Sequence, residues 1–153
     1  MATEANKAVV LRLIKELYQG NLGIVDDVFA PNFAFYIPLL PNWLRGVEGA
    51  RKMVVQLQSV LRDIRAMRED LFGEGDKVAV RWTFRGTYQA EAKPGNPQPG
   101  DRLTAVASGV YCFVDGKIAE DRGVEALWQQ GQGWEGLAVQ RDGGRGVEVC
   151  TSD

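Results

Sequence analysis

The side chains available for chemistry in this chain are carboxylates, phenols, arginines and amides, because none of its 153 residues is a histidine. Without an imidazole, a Ser-His-Asp or Cys-His relay is excluded, and so is proton transfer by histidine near neutral pH. The two cysteines, Cys112 and Cys150, are too few for a zinc cluster. We therefore expect a site that works without a metal or cofactor, through carboxylates, phenols and shape.

Charge and hydropathy exclude further classes of protein. The 18 basic and 20 acidic residues give a formal net charge of −2, which offers no electrostatic footprint for nucleic acid. No apolar stretch approaches the roughly 18 residues of a membrane span, and the first residues lack the pattern of a secretory signal. A glycine-rich phosphate loop is also absent from the sequence. The small number of cysteines predicts a cytoplasmic protein, and we expect a small-molecule partner.

Apolar spacing predicts three helices in the first half of the chain. The first has Thr3 as a candidate N-cap and Gly20 as a candidate C-cap, and its apolar stripe comprises Val9, Val10, Leu13, Ile14, Leu17 and Tyr18. A short second helix runs through Ile24 to Phe29 and is predicted to end at Pro31. The third has apolar residues three or four positions apart, namely Val47, Ala50, Val54, Leu57, Leu61 and Ile64. Between the second and third helices, the aromatic segment 33–38 predicts a strand.

The second half of the chain is typical of antiparallel strands. Strands are predicted over residues 64–72, 77–92, 102–114 and 117–127, and Asp115-Gly116 is a two-residue hairpin signal. Helices followed by strands predict an α+β fold, with the helices packed on one face of a curved sheet. A chain of this length accommodates one domain, which we assign to residues 1–130. The glycine-rich segment 131–153 is predicted to be a loosely ordered tail.

Several segments, taken in order, resemble the SnoaL-like polyketide cyclases. They are Arg45-Gly46-Val47-Glu48-Gly49, which opens the third helix, residues 75–87, the prolines and glycine of 97–100, the hairpin 114–120 and the closing residues 129–131. The resemblance covers roughly residues 5–131. It implies a nuclear transport factor 2-like fold, in which a strongly bent antiparallel sheet forms a cone closed by three N-terminal helices. It also implies that ligands bind inside the cone and that two copies form a homodimer through the outside of the sheet.

The resemblance also shows where this chain departs from the family. In the family, the catalytic aspartate stands six residues after the lysine of the final hairpin. In this chain, that position is Gly123. Two family histidines fall at Gly109 and Tyr88. These departures shift the expected reaction from an aldol closure driven by strong acid and base groups towards a closure guided by shape and phenols.

Two carboxylates lie near Gly123, the position of the family's catalytic aspartate. Asp121 and Glu125 share a strand face with Gly123, because side chains alternate along a strand. If Gly123 faces the cone, both carboxylates do so, and desolvation would raise their pKa and suit them to acid or base catalysis. We predict Asp121 and Glu125 as catalytic residues. The alternatives for Asp121 are pairing with a basic residue and a place at the wet rim of the sheet.

Aromatic residues complete the predicted site. Tyr36 and Tyr88 are predicted to donate hydrogen bonds to a carbonyl or epoxide oxygen, although each phenol could equally be a core tyrosine. The predicted substrate-binding side chains are Phe35, Trp43, Trp82, Phe84, Tyr111 and Trp128.

Together these features predict a cofactor-independent cyclase for a polyketide or related natural-product intermediate. Binding would fold a flexible substrate into a reactive conformer, and the closure could be a cycloaddition or an epoxide opening rather than an aldol. The alternatives are a non-catalytic small-molecule binding module of the same fold and a steroid-type isomerase. The water-activating relay of related epoxide hydrolases is not expected, because residues 77–90 contain no Arg-x-Asp pair.

Overall fold

The computed structural model describes residues 2–36, 45–92, 94 and 97–129, and only the backbone of residues 124–129. Its helices are α1 (Ala2–Tyr18), α2 (Ile24–Val28) and α3 (Gly46–Val60). Its strands are β1 (Phe29–Phe35), β2 (Leu61–Glu74), β3 (Lys77–Tyr88), β4 (Arg102–Val114) and β5 (Lys117–Gln129). No helix among the described residues has both the length and the apolar character that crossing a membrane requires.

The five strands form one bent sheet in the order β1-β5-β4-β3-β2. The predicted α+β class, with the helices first and the sheet after them, is confirmed. Strands β2 to β5 pair in antiparallel fashion. The pair β1–β5 is parallel, which the expectation of an antiparallel sheet did not include.

One hydrophobic core joins the helices to the sheet. Alternate residues of β3 lie on the same side, and the buried ones are Val78, Val80, Trp82, Phe84, Gly86 and Tyr88. Helix α1 packs against this side with Val10, Leu13, Ile14 and Leu17, and the ring of Tyr18 stacks on that of Phe84 with centroids 5.5 Å apart. We call the side of the sheet that carries these buried residues the inner face, and the opposite side the outer face.

Three predicted helix boundaries differ from the structure, and the strand predicted over 33–38 begins earlier, at Phe29. Thr3 lies inside α1 rather than capping it, and its hydroxyl donates a hydrogen bond to the carbonyl of Gly75 in the β2–β3 turn. Pro31 does not end a helix but lies within β1, where an edge strand tolerates a residue without an N–H group. Leu61 and Ile64 continue the apolar spacing of α3, but they belong to β2.

The predicted turn and cap residues have the backbone conformations that their predicted roles require. Asp115 and Gly116 have φ values of 49° and 76°, as a two-residue hairpin with two left-handed positions requires. Gly20 has a φ of 91° just after α1, which agrees with its prediction as the C-cap. The hairpin begins the pairing of β4 with β5, and a shift of register between Cys112 and Phe113 then places Asp121 opposite Tyr111.

Candidate functional site

The register of the sheet places four inner-face residues in one row. Phe35 of β1 lies opposite Asp121 of β5, Asp121 opposite Tyr111 of β4, and Tyr111 opposite Val78 of β3. Residues directly opposite one another lie on the same face of a sheet. The structure therefore brings together Phe35, Tyr111 and Asp121, which the sequence had singled out separately.

Asp121 is the only charged side chain that is buried in the described part of the chain, with 8% of its surface exposed. Its carbonyl oxygen accepts a hydrogen bond of 2.7 Å from the N–H of Tyr36, so β1 helps to fix the backbone that carries it. A buried carboxylate is a suitable group for moving a proton.

Two glycines leave space beside this carboxylate. Gly109 and Gly123 lie directly opposite each other, in the row next to Tyr111 and Asp121. A Cβ atom added to Gly109 would lie 3.1 Å from Oδ1 of Asp121 and 3.6 Å from Cα of Gly123. The carboxylate of Asp121 therefore reaches the space that a side chain at Gly109 would otherwise fill.

Aromatic side chains lie near the two glycines on the inner face of the sheet. Trp82 and Tyr111 are both buried, and their rings are stacked with centroids 6.2 Å apart and planes 15° apart. The indole nitrogen Nε1 of Trp82 is buried and has no hydrogen-bond partner among the described residues. Phe84 lies further along the same face, where it packs on Tyr18 of α1.

Tyr36 lies apart from this group. Its ring packs under the guanidinium of Arg122 at 4.8 Å, and 46% of the residue is exposed. Arg122 follows Asp121 and therefore points to the outer face, where it also forms a 2.9 Å ion pair with Glu120. Sequence reasoning missed this Tyr36–Arg122–Glu120 cluster, although strand alternation from Asp121 indicates the face on which Arg122 lies.

Tyr88 is also distant from Asp121. It lies opposite Leu61 near the end of β3, ten residues beyond Val78, the β3 member of the Asp121 row. Its ring is buried and its hydroxyl donates a 3.3 Å hydrogen bond to the carbonyl of Glu91. The structure therefore does not place the two predicted phenols together, or either of them on the Asp121 row.

The remaining predicted residues are described only in part. The backbone of Glu125 lies opposite Ala107, and that of Trp128 lies opposite Thr104. Trp43 and the predicted tail 131–153 lie outside the described residues. Within the described ranges, no group of three or more cysteine, aspartate or glutamate side chains is arranged to hold a metal ion.

The contact between Asp121 and Gly109 makes a prediction about stability. Gly109→Ala is expected to lower the free energy of unfolding by about 1 kcal/mol, because the new methyl group is overpacked against Oδ1. In an Asp121→Ala background the same change should be neutral or stabilising, since alanine costs less backbone entropy than glycine. Urea denaturation of the four proteins measures this coupling. An equal effect in both backgrounds would show that the carboxylate does not lie over Gly109.

The comparisons with known proteins agree with this architecture. The sequence matches the family described as SnoaL-like polyketide cyclase over residues 8–132. No curated protein matches the chain.

Similar solved structures share the fold. A candidate polyketide cyclase from Acidithiobacillus ferrooxidans is 24% identical, with a TM-score of 0.68 over 79% of this chain and 87% of that one. IdmH, a candidate polyketide cyclase from Streptomyces antibioticus, is 22% identical, with a TM-score of 0.65 over 80% and 91%. An epoxide hydrolase of the LEH-like type from M. tuberculosis is 15% identical, with a TM-score of 0.65 over 82% and 86%. At these identities the similarity shows the fold alone.

Proposed function

The chain belongs to the SnoaL-like polyketide cyclase family, and we propose that it is a cofactor-independent cyclase that closes a ring in a polyketide or related natural-product intermediate. The observation that carries this proposal is the buried carboxylate of Asp121, which lies over Gly109. Gly123 occupies the position at which the resemblance expects the catalytic aspartate. We propose that Asp121, from two residues upstream on the same face, takes over that role.

The proposed reaction is an aldol closure, which the sequence alone made less expected and for which the buried Asp121 supplies a proton carrier. The substrate folds against the inner face, and its two reacting carbons are brought together before a bond forms. The carboxylate of Asp121 takes a proton from a carbon between two carbonyl groups. The resulting carbanion attacks the carbon of a third, more distant carbonyl group and forms the ring bond, and the proton then passes from Asp121 to the new alkoxide. The product is an isomer of the substrate, so the reaction consumes no co-reactant.

The proposal assigns no step to Tyr36 or Tyr88, because neither lies on the row of Asp121. A closure by cycloaddition would use the same folding of the substrate and need no proton transfer at all. A closure by epoxide opening would need a proton on the oxygen that is released, and a protonated Asp121 could supply it.

A second candidate function is a non-catalytic binding module. The observation in its favour is that Gly109 and Gly123 lack functional side chains at two positions where the resemblance expects them. A steroid-type isomerase needs a paired acid and base in one pocket, and Asp121 is the single buried charged side chain of the described residues. In an isomerase the partner of Asp121 would be an uncharged group such as the buried phenol of Tyr111, which lies directly opposite it.

The test is whether the purified protein accelerates ring closure. A linear poly-β-ketone, attached as a thioester to N-acetylcysteamine, is incubated with and without the protein, and cyclised isomers are separated by chromatography and identified by mass. We expect faster formation of one isomer with the protein. Binding of this compound without acceleration would support the binding module instead.

We also propose that two copies associate through the outer face. Phe72, Ala79 and Val110 lie directly opposite one another on β2, β3 and β4 and form an apolar row across that face. Phe72 is 66% exposed and Val110 is 37% exposed. Such a row can pack against its own copy around a two-fold axis, which supports the homodimer that the family resemblance implies.

A further inference from the structure

Trp82 carries a polar group for which the described residues supply no hydrogen-bond partner. Only 7% of this residue is exposed, and its Nε1–H has no acceptor among the described residues. Buried indole N–H groups usually find a hydrogen-bond partner, because an unmade bond costs the full desolvation of the donor. A buried donor of this kind marks a place where a ligand can supply the acceptor.

The surroundings of Trp82 restrict the chemistry of that ligand. The ring of Trp82 is stacked on Tyr111, and Tyr111 lies directly opposite Asp121. Tyr111 is therefore a neighbour of both the indole of Trp82 and the carboxylate of Asp121. A negatively charged acceptor would be repelled by the Asp121 carboxylate, whereas a carbonyl oxygen carries no net charge. The flat rings suit a carbon skeleton of low polarity.

We propose that the indole N–H of Trp82 donates a hydrogen bond to a ketone oxygen of an uncharged, largely apolar ligand bound on the inner face. The proposal rests on the proposed function for the location of the ligand, and it names the group that orients the ligand there. The stacked rings of Trp82 and Tyr111 contact the carbon skeleton, and the bond to Trp82 decides which carbonyl group points away from Asp121. Trp82 is thus a residue that selects ketones over hydrocarbons of the same shape.

The experiment compares 1-tetralone with tetralin, two uncharged bicyclic compounds that differ at the carbonyl group. Trp82 is replaced by 3-benzothienylalanine, introduced at a reassigned stop codon, which keeps the shape of the indole and replaces N–H by sulfur. The indole N–H signal of Trp82 is identified in ¹H–¹⁵N spectra by its loss in this variant. The dissociation constants of both compounds are then measured by titration for both proteins.

We expect 1-tetralone to move the Trp82 N–H proton downfield and tetralin to leave it in place. The variant should bind 1-tetralone about fivefold more weakly, the factor that corresponds to one ordinary hydrogen bond, and should bind tetralin as the natural protein does. The proposal is overturned if millimolar 1-tetralone does not move the signal, or if the affinity ratio of the two compounds is the same in both proteins.

These results are independent of turnover. If 1-tetralone moves the Trp82 signal while the protein does not accelerate closure of the poly-β-ketone, the ketone site stands and the cyclase proposal fails. If closure is accelerated and the Trp82 signal stays unmoved, the cyclase proposal stands and the ketone site fails.

Discussion

Replacing Asp121 by asparagine is expected to lower kcat for ring closure by a factor of about 10² to 10⁴, the range typical of a lost general acid or base. Asparagine has nearly the same size and shape as aspartate, but its amide cannot take up and return a proton. The place over Gly109 therefore remains filled while the chemistry of the group is removed. Initial rates with the poly-β-ketone thioester measure this effect.

A matched substitution separates the loss of the proton carrier from damage to the fold. Asp70→Asn makes the same chemical change on β2, where the carboxylate forms a 2.7 Å ion pair with Arg81 and both side chains are largely exposed. An exposed pair of this kind contributes about 1 kcal/mol or less. We expect Asp70→Asn to retain the natural rate, and thermal unfolding should show both variants to be folded.

Two further variants complete this series: Glu125→Gln, and the double variant that combines Asp121→Asn with Glu125→Gln. Full turnover in Asp121→Asn together with its loss in Glu125→Gln would transfer the proton role to Glu125. Full turnover in the double variant would refute acid–base catalysis by either carboxylate and favour a closure driven by the shape of the site, such as a cycloaddition.

Phe72→Glu is expected to weaken the proposed homodimer by a factor of at least about 100, which corresponds to about 2.7 kcal/mol. Phe72 is the most exposed large apolar residue of the described chain and lies in the apolar row of the outer face. In a two-fold interface, a single substitution places a carboxylate on both copies, and each unpaired charge would have to leave water. Sedimentation at micromolar concentration distinguishes the dimer from the monomer.

Val55→Glu is the matched control for the dimer. Val55 is 49% exposed on α3, which belongs to the helical layer rather than to the outer face. The Val55→Glu substitution introduces the same charge at another exposed apolar site. The dissociation constant of the dimer should therefore remain as in the natural protein. A natural protein that sediments as a monomer, or a Phe72→Glu variant that dimerises normally, would contradict the proposed interface.

Local signals in the sequence were sufficient for much of the fold. Strand β4 has the predicted bounds, and Asp115-Gly116 forms the predicted hairpin, because alternation and turn chemistry depend on neighbouring residues only. The predicted start of β2 was wrong, because local spacing alone indicated a helix there. Leu61 and Ile64 continue the helical spacing of α3, and the change to a strand becomes evident only from the pairing of Leu61 with Tyr88.

The parallel position of β1 could not be derived from local patterns. Pro31 indicates the end of a helix when it is considered with its neighbours alone, and its place on an edge strand depends on pairing with β5. Tertiary contacts therefore decided the structure of this segment.

The candidate site was predictable to a similar extent. Alternation from Gly123 indicated that Asp121 shares its face, and the structure places Asp121 beside Gly109 and Gly123. Two features were not predictable, because both depend on residues distant in sequence: the packing of Tyr36 under Arg122, and Nε1 of Trp82, which has no partner in the described part of the chain.

The parallel pairing of β1 with β5 also determines the order in which the protein can fold. Phe29 pairs with Ile118 and Phe35 pairs with Asp121, so β1 emerges from the ribosome well before its partner. Contacts between such distant segments are entropically slow to form. Until they form, the aromatic side chains of β1, among them the fully buried Phe33, lack their final cover. Closure of this pair is therefore the expected slow step, and the nascent β1 is the segment most exposed to association with other chains.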